Sequence, residues 1–292
     1  MSTNTVHMEV IIPSWGAERV ANALESMQEG AEVGAVMQNA TGQPLCVSYT
    51  IVCPDVTESA LLDEGSPIRG RSHLRFTMES TEGPVLPVTA MHCGSTGVNG
   101  GLPDLLAFLH DDVTIEQTFW AGDVFRHFDT NSRCGLAGFG GGLGFADRDI
   151  YKTPYRLQQL PRHDFISNMR EAESHGRRVT VPTRVAALDG FSLIIRRELY
   201  EQCGGWEQCL KDGIPFHMYD AWISCMAARY DWETWMLPIA CHHAGGSTSV
   251  LMAEQYERCV KELGYRDGQE LYDDAHRRIY DLFRDVLPIL SS

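Results

Sequence analysis

The chain has 292 residues, 43% of them hydrophobic and 22% charged, which suits one large α/β unit or two smaller domains with a full core. Its formal net charge is −15. Unspecific grip on nucleic acid comes from neutralising phosphates, so this balance counts against a general DNA or RNA binder and leaves a local basic groove open.

The nine cysteines are scattered, with no CxxC pair and no repeated zinc spacing. Buried free thiols in a reducing cytoplasm are the expected reading. The first residues, MSTNTVHMEV, lack the charged and apolar regions of a signal peptide. No apolar run approaches the length of a membrane span. A cytoplasmic protein is therefore expected.

In chain order, Met8–Pro13 (MEVIIP) reads as a buried strand closed by proline. Glu18–Gln28 has helical spacing, with Val20, Ala23, Leu24 and Met27 on one face. Leu45–Cys53 is a second strand, ending at Pro54-Asp55. Val85–His92 reads as a third strand, and Leu105–His110 as a fourth that runs into Asp111-Asp112. Strand, helix, strand at the start predicts a parallel sheet, in which ligands bind beyond the carboxyl ends of the strands. Pro13-Ser14, Asp55 and Asp111-Asp112 all fall at such ends.

Gly135–Gly144 (GLAGFGGGLG) is glycine-rich but does not fit GxGxxG, so it is not read as a dinucleotide fingerprint. Backbone that approaches a ligand or another strand closely is sufficient explanation. Tyr151–Arg184 is the most basic stretch, carrying Arg156, Arg162, Arg170, Arg177, Arg178 and Arg184. It reads first as a solvated surface and second as an anion-facing one. Ala186–Leu199 is a strand entering a helix, with Asp189-Gly190 near its start. Met218–Tyr230 is helical by period. Thr234–Cys241 is a strand that ends in His242-His243. From Leu251 onward the pattern is amphipathic helix.

Two adjacent acids at the end of a buried strand repel each other, which calls for something positive beside them. Taken alone they also read as a helix N-cap, and a single histidine reads as a satisfied structural one. Two acids and two histidines, each pair following a buried strand, together point to one divalent cation. Carboxylate oxygens with one imidazole suit Mn²⁺, or Mg²⁺ with less imidazole.

The segments IIPSW, Asp55 after a strand, FLHDDV, ALDGFSLIIRREL, GGWE, FHMYDAWIS and PIACHHAGGST occur in the order seen in family-2 glycosyltransferases. The resemblance covers about residues 8–250. It implies the GT-A fold: an α/β, Rossmann-like mixed sheet flanked by helices, here with a C-terminal helical extension. Residues 1–115 would form the nucleotide-sugar-binding half, 116–250 the acceptor and catalytic half, and 251–292 the extension.

The resemblance also implies roles. Pro13, Ser14 and Asp55 would line the nucleoside pocket, and Asp111 would touch ribose or sugar. Asp112 would bind Mn²⁺ or Mg²⁺ on the diphosphate, with one of His242 and His243, preferentially His242, completing the metal shell. Asp220 matches the general base of inverting members, and such a base typically contributes 10²–10⁴-fold. Asp189, Gly190 and Trp206 match positions near sugar and acceptor.

Departures from the family pattern are His110 in place of the first acid of the metal motif, and Trp222 where a second acid follows Asp220. The helix before the fourth strand also reads as cut short, with only GVNGGLPD from Gly97 to the strand.

The implied donor is a nucleotide-diphosphate sugar, a UDP-sugar first. The chain most resembles the short bacterial and phage members with an HDD motif. For the acceptor, a hydroxymethylated DNA base, another phosphate-bearing molecule, protein and glycan all stay open. An extruded base would stack on aromatics such as Phe139, Tyr155 and Phe165. Self-association is left open by the pattern. The alternatives are a non-catalytic nucleotide- or partner-binding protein on a degenerate version of this fold and, behind it, a metal hydrolase.

Overall fold

The computed structural model describes residues 5–14, 17–32, 45–53, 74–78, 86–96, 102–146, 165–167, 177–244 and 253–291. The first half alternates strand and helix: β1 (Val6–Pro13), α1 (Ala17–Glu32), β2 (Leu45–Cys53), β3 (Leu74–Met78), α2 (Pro87–Thr96) and β4 (Leu105–Leu109). There follow β5 (Val113–Ile115), α3 (Trp120–Thr130), β6 (Cys134–Gly138), β7 (Gly140–Gly142), β8 (Gly144–Phe145), β9 (Phe165–Ser167), β10 (Thr183–Arg184), β11 (Ala187–Leu188) and β12 (Ser192–Arg196). The remainder is α4 (Arg197–Gln202), α5 (Gly205–Lys211), α6 (Tyr219–Arg229), β13 (Glu233–Met236), β14 (Cys241–His243), α7 (Ala253–Glu262), α8 (Gly268–Leu282) and β15 (Ile289–Leu290).

Among the described residues, eight strands form one mixed sheet in the order β10-β13-β6-β12-β4-β1-β2-β3. β1 runs parallel to both β2 and β4, with Val10 opposite Tyr49 on one side and Ala107 on the other. β12 is antiparallel to β4 and β6. The chain leaves β1 toward β2 and returns to its other side as β4, so the order reverses between β1 and β4. The crevice at such a reversal is where open α/β sheets bind ligands.

Strict alternation along the central strands explains the two covered faces. Met8, Val10 and Ile12 of β1, with Leu105, Ala107 and Leu109 of β4, pack under Val20, Leu24 and Met27 of α1 and Trp120 and Val124 of α3. Ile11, Leu106 and Phe108 face the other way, toward Val88 and Met91 of α2, Trp206 of α5 and Trp222 of α6. Glu9 is buried in this frame because the hydroxyls of Ser48 and Thr50 on β2 donate to its carboxylate. Arg196 ties α3 to β6 by donating to the carbonyls of Phe128 (2.6 Å) and Cys134 (2.7 Å).

Three sequence expectations are corrected. Val85–His92 is not a strand: Pro87 opens a helix, the position where its missing N–H costs nothing. Val88, Met91 and Ser95, with Ala90 and Gly94, form the buried face at helical spacing. A Cβ at Gly94 would stand 2.5 Å from Ile11, so the glycine lets α2 lie against β1. The helix before β4 is therefore present and not cut short. The glycine run, expected where backbone approaches a ligand or another strand closely, is strand, β6 to β8, in which Cβ atoms at Gly138 and Gly141 would meet the carbonyls of Ser192 and Ala187. Thr234–Cys241 is two strands, separated by Leu237–Ala240.

The C-terminal helices pack on the rest of the chain. Ile279 and Phe283 join the core that holds Trp206 and Trp222, and β15 pairs with β8. Arg229 of α6 pairs with Asp285. Among the described residues no helix is long and apolar enough to cross a membrane. All nine cysteines are free thiols, seven of them buried.

Candidate metal and catalytic site

The turn after β4 settles how Asp111 and Asp112 sit side by side: their carboxylates part. Asp111 is buried and turns toward β1 and α1. There the Ser14 hydroxyl donates to it at 2.7 Å and the Arg19 guanidinium pairs with it. Burial pushes the Asp111 carboxyl up from its ordinary value, while the Ser14 bond and Arg19 pull it down. Asp112 turns the other way, toward two histidines.

His243 Nε2 lies 3.3 Å from Asp112 Oδ1, and His110 Nδ1 lies 3.8 Å from the same oxygen. One donor atom from each of His110, Asp112 and His243 falls within 4.8 Å of the others. Small side-chain rotations would close donors at such separations onto one cation. The Asp112 side chain is 6% exposed and that of His110 is 38% exposed, so the cluster is recessed but reachable.

Backbone pairing brings these residues together. β14 runs antiparallel to β5 with His243 opposite Val113 and His242 opposite Thr114, and Ala244 N–H donates to Asp112 O at 3.1 Å. The ring of Phe191 stacks on His243 at 4.8 Å and 19°. His110 N–H donates to Phe191 O at 3.0 Å, which joins the end of β4 to the start of β12. The desolvated setting of His110, with His243 nearby, brings its pKa down from 6.5 to about 4, against the opposing pull of Asp112. A neutral imidazole is the form that binds a metal.

Asp220 stands in the first turn of α6. Met218, just before the helix, has φ 66°, a left-handed conformation that costs a residue with a Cβ roughly 1–2 kcal/mol. This sharp entry aims Tyr219 and Asp220 at the β4–β12 edge. Tyr219 Oη lies 2.8 Å from His110 Nε2. Asp220 accepts from Ala221 N–H at 2.8 Å. Desolvation first, and the Asp189 carboxylate second, push the Asp220 carboxyl up from 3.8 to about 7. A carboxyl poised there can take a proton near neutral pH.

The remaining sequence candidates fall as follows. Asp189 closes a turn whose Oδ1 accepts from Phe191 N–H at 3.4 Å. At Gly190 a Cβ would stand 2.6 Å from the Tyr219 hydroxyl, so the position serves the approach of that ring. Pro13 ends β1 beside Ser14. Trp206 is fully buried against Phe108, Tyr219 and Trp222, so it is a wall beneath Tyr219 and not a surface for sugar. His242 is the strand neighbour of His243, and alternation sends its side chain to the opposite face; the cluster contains His243 and His110 instead.

Asp55, Tyr155, Arg156, Arg162 and Arg170 lie outside the described residues, and only the backbone of Phe165 is described. Phe139 is fully buried against Trp120 and offers no face for a stacked base. Arg177 and Arg178 are exposed.

Three residues of the site carry no signal read from the sequence: His110 as a donor, Tyr219 as its partner, and Arg19 as the counter-charge of Asp111. The unusual H-D-D run was the available sign for His110. Tyr219 and Arg19 lie 109 and 92 residues from their partners, a distance only the fold closes.

No family model matches the chain, and no curated protein matches it. Among solved structures, the mannosyltransferase PcManGT from Pyrobaculum calidifontis, in complex with GDP-Man and Mn²⁺, is similar at a TM-score of 0.49 and 16% identity. The match covers 95% of this chain and 71% of that one.

Proposed function

We propose that the chain is a metal-dependent, inverting glycosyltransferase of GT-A type that moves a sugar from a nucleotide-diphosphate sugar to an acceptor hydroxyl. One observation carries the reading. The His110–Asp112–His243 cluster stands at the strand-order reversal, and α6 brings Asp220, a carboxyl with a pKa of about 7, to the same edge.

The donor set fits a divalent cation. Two imidazoles and one carboxylate suit Mn²⁺ better than Mg²⁺, which prefers oxygen. When bound, the metal would act as a Lewis acid on the diphosphate and stabilise its charge as the bond to sugar breaks. His110, Asp112 and His243 would hold it, and Phe191 and Tyr219 would fix the two rings.

Asp220 would accept the proton of the acceptor hydroxyl, and its carboxylate is the base that the chemistry requires. Attack opposite the leaving group inverts the anomeric carbon. Ser14 and Arg19 keep Asp111 anchored, so the next residue in the turn would present its carboxylate to the metal. A UDP-sugar remains the first donor to try. A phosphate-bearing acceptor, such as a hydroxymethylated base in DNA, rests on the arginine-bearing stretch of the sequence.

The test is thermal stability against a panel of nucleoside diphosphates and nucleotide sugars, each with and without Mn²⁺. A ligand that binds only the native state stabilises it by about 2.7 kcal/mol at a hundredfold excess over its Kd. A Mn²⁺-dependent shift with one nucleotide, absent in Asp112→Ala, is expected. No shift with any member of the panel would remove the donor site and leave the non-catalytic partner-binding alternative.

A further inference from the structure

We infer that Tyr219 is a positioning residue for the metal site: its hydroxyl receives the Nε2 proton of His110 and so commits Nδ1 of that ring to the cation. This rests on the metal-site reading above. A neutral imidazole carries one proton, and the nitrogen without it is the one that can ligate. In His110, Nδ1 faces Asp112 at 3.8 Å and Nε2 faces Tyr219 Oη at 2.8 Å. If the tyrosine donated to Nε2, the proton would sit on Nδ1 and block the donor.

The structure gives the tyrosine another place for its own hydrogen, the carbonyl of Gly190 at 3.4 Å. The chain then runs from His110 Nε2–H to Tyr219 Oη, and from Tyr219 O–H to Gly190 O. Every proton has an acceptor, and Nδ1 keeps its lone pair toward Asp112 and His243.

Two features hold Tyr219 in this place. A Cβ at Gly190 would come within 2.6 Å of the hydroxyl and 2.9 Å of the ring carbon that bears it, so only glycine leaves the approach open. Beneath, Trp206 meets the ring edge-on at 6.2 Å. Partners that orient a ligating histidine typically change metal affinity 10–100-fold when removed.

The experiment is a Mn²⁺ titration of the full chain, followed by the electron paramagnetic resonance of free Mn²⁺, with no nucleotide present. Tyr219→Phe keeps the ring on Trp206 and removes only the hydroxyl; its Mn²⁺ Kd is expected to rise 10–100-fold. Added to His110→Ala, the same change is expected to cost less than threefold, because there is no ring left to orient. Gly190→Ala displaces the hydroxyl from the other side and is expected to weaken Mn²⁺ in the same range.

Wild-type affinity in Tyr219→Phe would overturn the inference, as would an equal penalty with and without His110. Either outcome leaves the metal site standing, provided the parent chain binds Mn²⁺ and Asp112→Ala does not. A parent chain that binds no Mn²⁺ would overturn both readings.

Discussion

Asp220→Asn is expected to make the protein more stable at pH 8 while abolishing most of its turnover. In the unfolded chain the carboxyl ionises near its ordinary value of 3.8; in the fold, desolvation and the Asp189 charge raise this to about 7. The native state therefore holds the proton more tightly than the unfolded state. The stability tied to that proton is complete below pH 4 and is lost as pH rises through 7. At about 1.36 kcal/mol per factor of ten, the rise corresponds to about 4 kcal/mol as an upper bound. Partial exposure of the side chain screens the charge, and roughly 2 kcal/mol is the expected size. Asparagine mimics the protonated acid in size and keeps an oxygen for Ala221 N–H, so its advantage should be about 0.5 kcal/mol at pH 4.5 and about 2 kcal/mol at pH 8. Urea unfolding of both proteins across that range, with a chelator present so that no cation offsets the charge, measures the difference. An advantage that does not grow with pH, or a loss at pH 8, would refute a carboxyl held near neutrality and with it the match between Asp220 and a base.

Arg19→Met leaves Asp111 buried without its counter-charge. It should cost roughly 2–3 kcal/mol of stability, at the lower end for buried pairs because the guanidinium is partly exposed. Asp111→Asn in that background should restore part of the loss, and equal unfolding midpoints for the parent and Arg19→Met would show that the pair carries no weight. His243→Ala should weaken Mn²⁺ at least tenfold and His242→Ala should leave it within about threefold; the reverse ranking in a calorimetric titration would assign the ligand to the other face of β14.

The fold was legible where one rule governed a segment. MEVIIP, LCVSYTIVC and LLAFL are mostly apolar because both sheet faces are covered, and each is a strand. VLPVTAMH looked the same locally. Only the recurrence of Val88, Met91 and Ser95, with proline at the first position, marks a helix. Glycine obscured β6 to β8, since a strand with few side chains has no alternation to read. Gly138 and Gly141 stand there because the neighbouring backbones of Ser192 and Ala187 come too close for any Cβ.

For the site, the sequence supplied the acids and the histidine pair as chemistry. That His243 lies beside Asp112 depends on the β14–β5 register, which the strand's own residues do not encode. The resemblance alone puts Trp206 near sugar and acceptor; in the fold it is fully buried in the core.

The same geometry links the two halves of the proposed chemistry. Tyr219 and Asp220 are consecutive, and the left-handed backbone at Met218 sets the direction of both. The first reaches the ring of His110 and the second faces the carboxylate of Asp189. A shift of the α6 N-terminus would therefore misplace a metal ligand's partner and the base together. Held apart, two such groups would each need their own packing to stay within the few tenths of an ångström that a preorganised site demands. One helical turn, anchored by Trp206 against Tyr219 and Trp222 and admitted from above by Gly190, meets both requirements. The repelling acids that end β4 obey the same economy. Asp111 is fixed to Arg19 and Ser14 inside the fold, and that anchor presents Asp112 to the histidines.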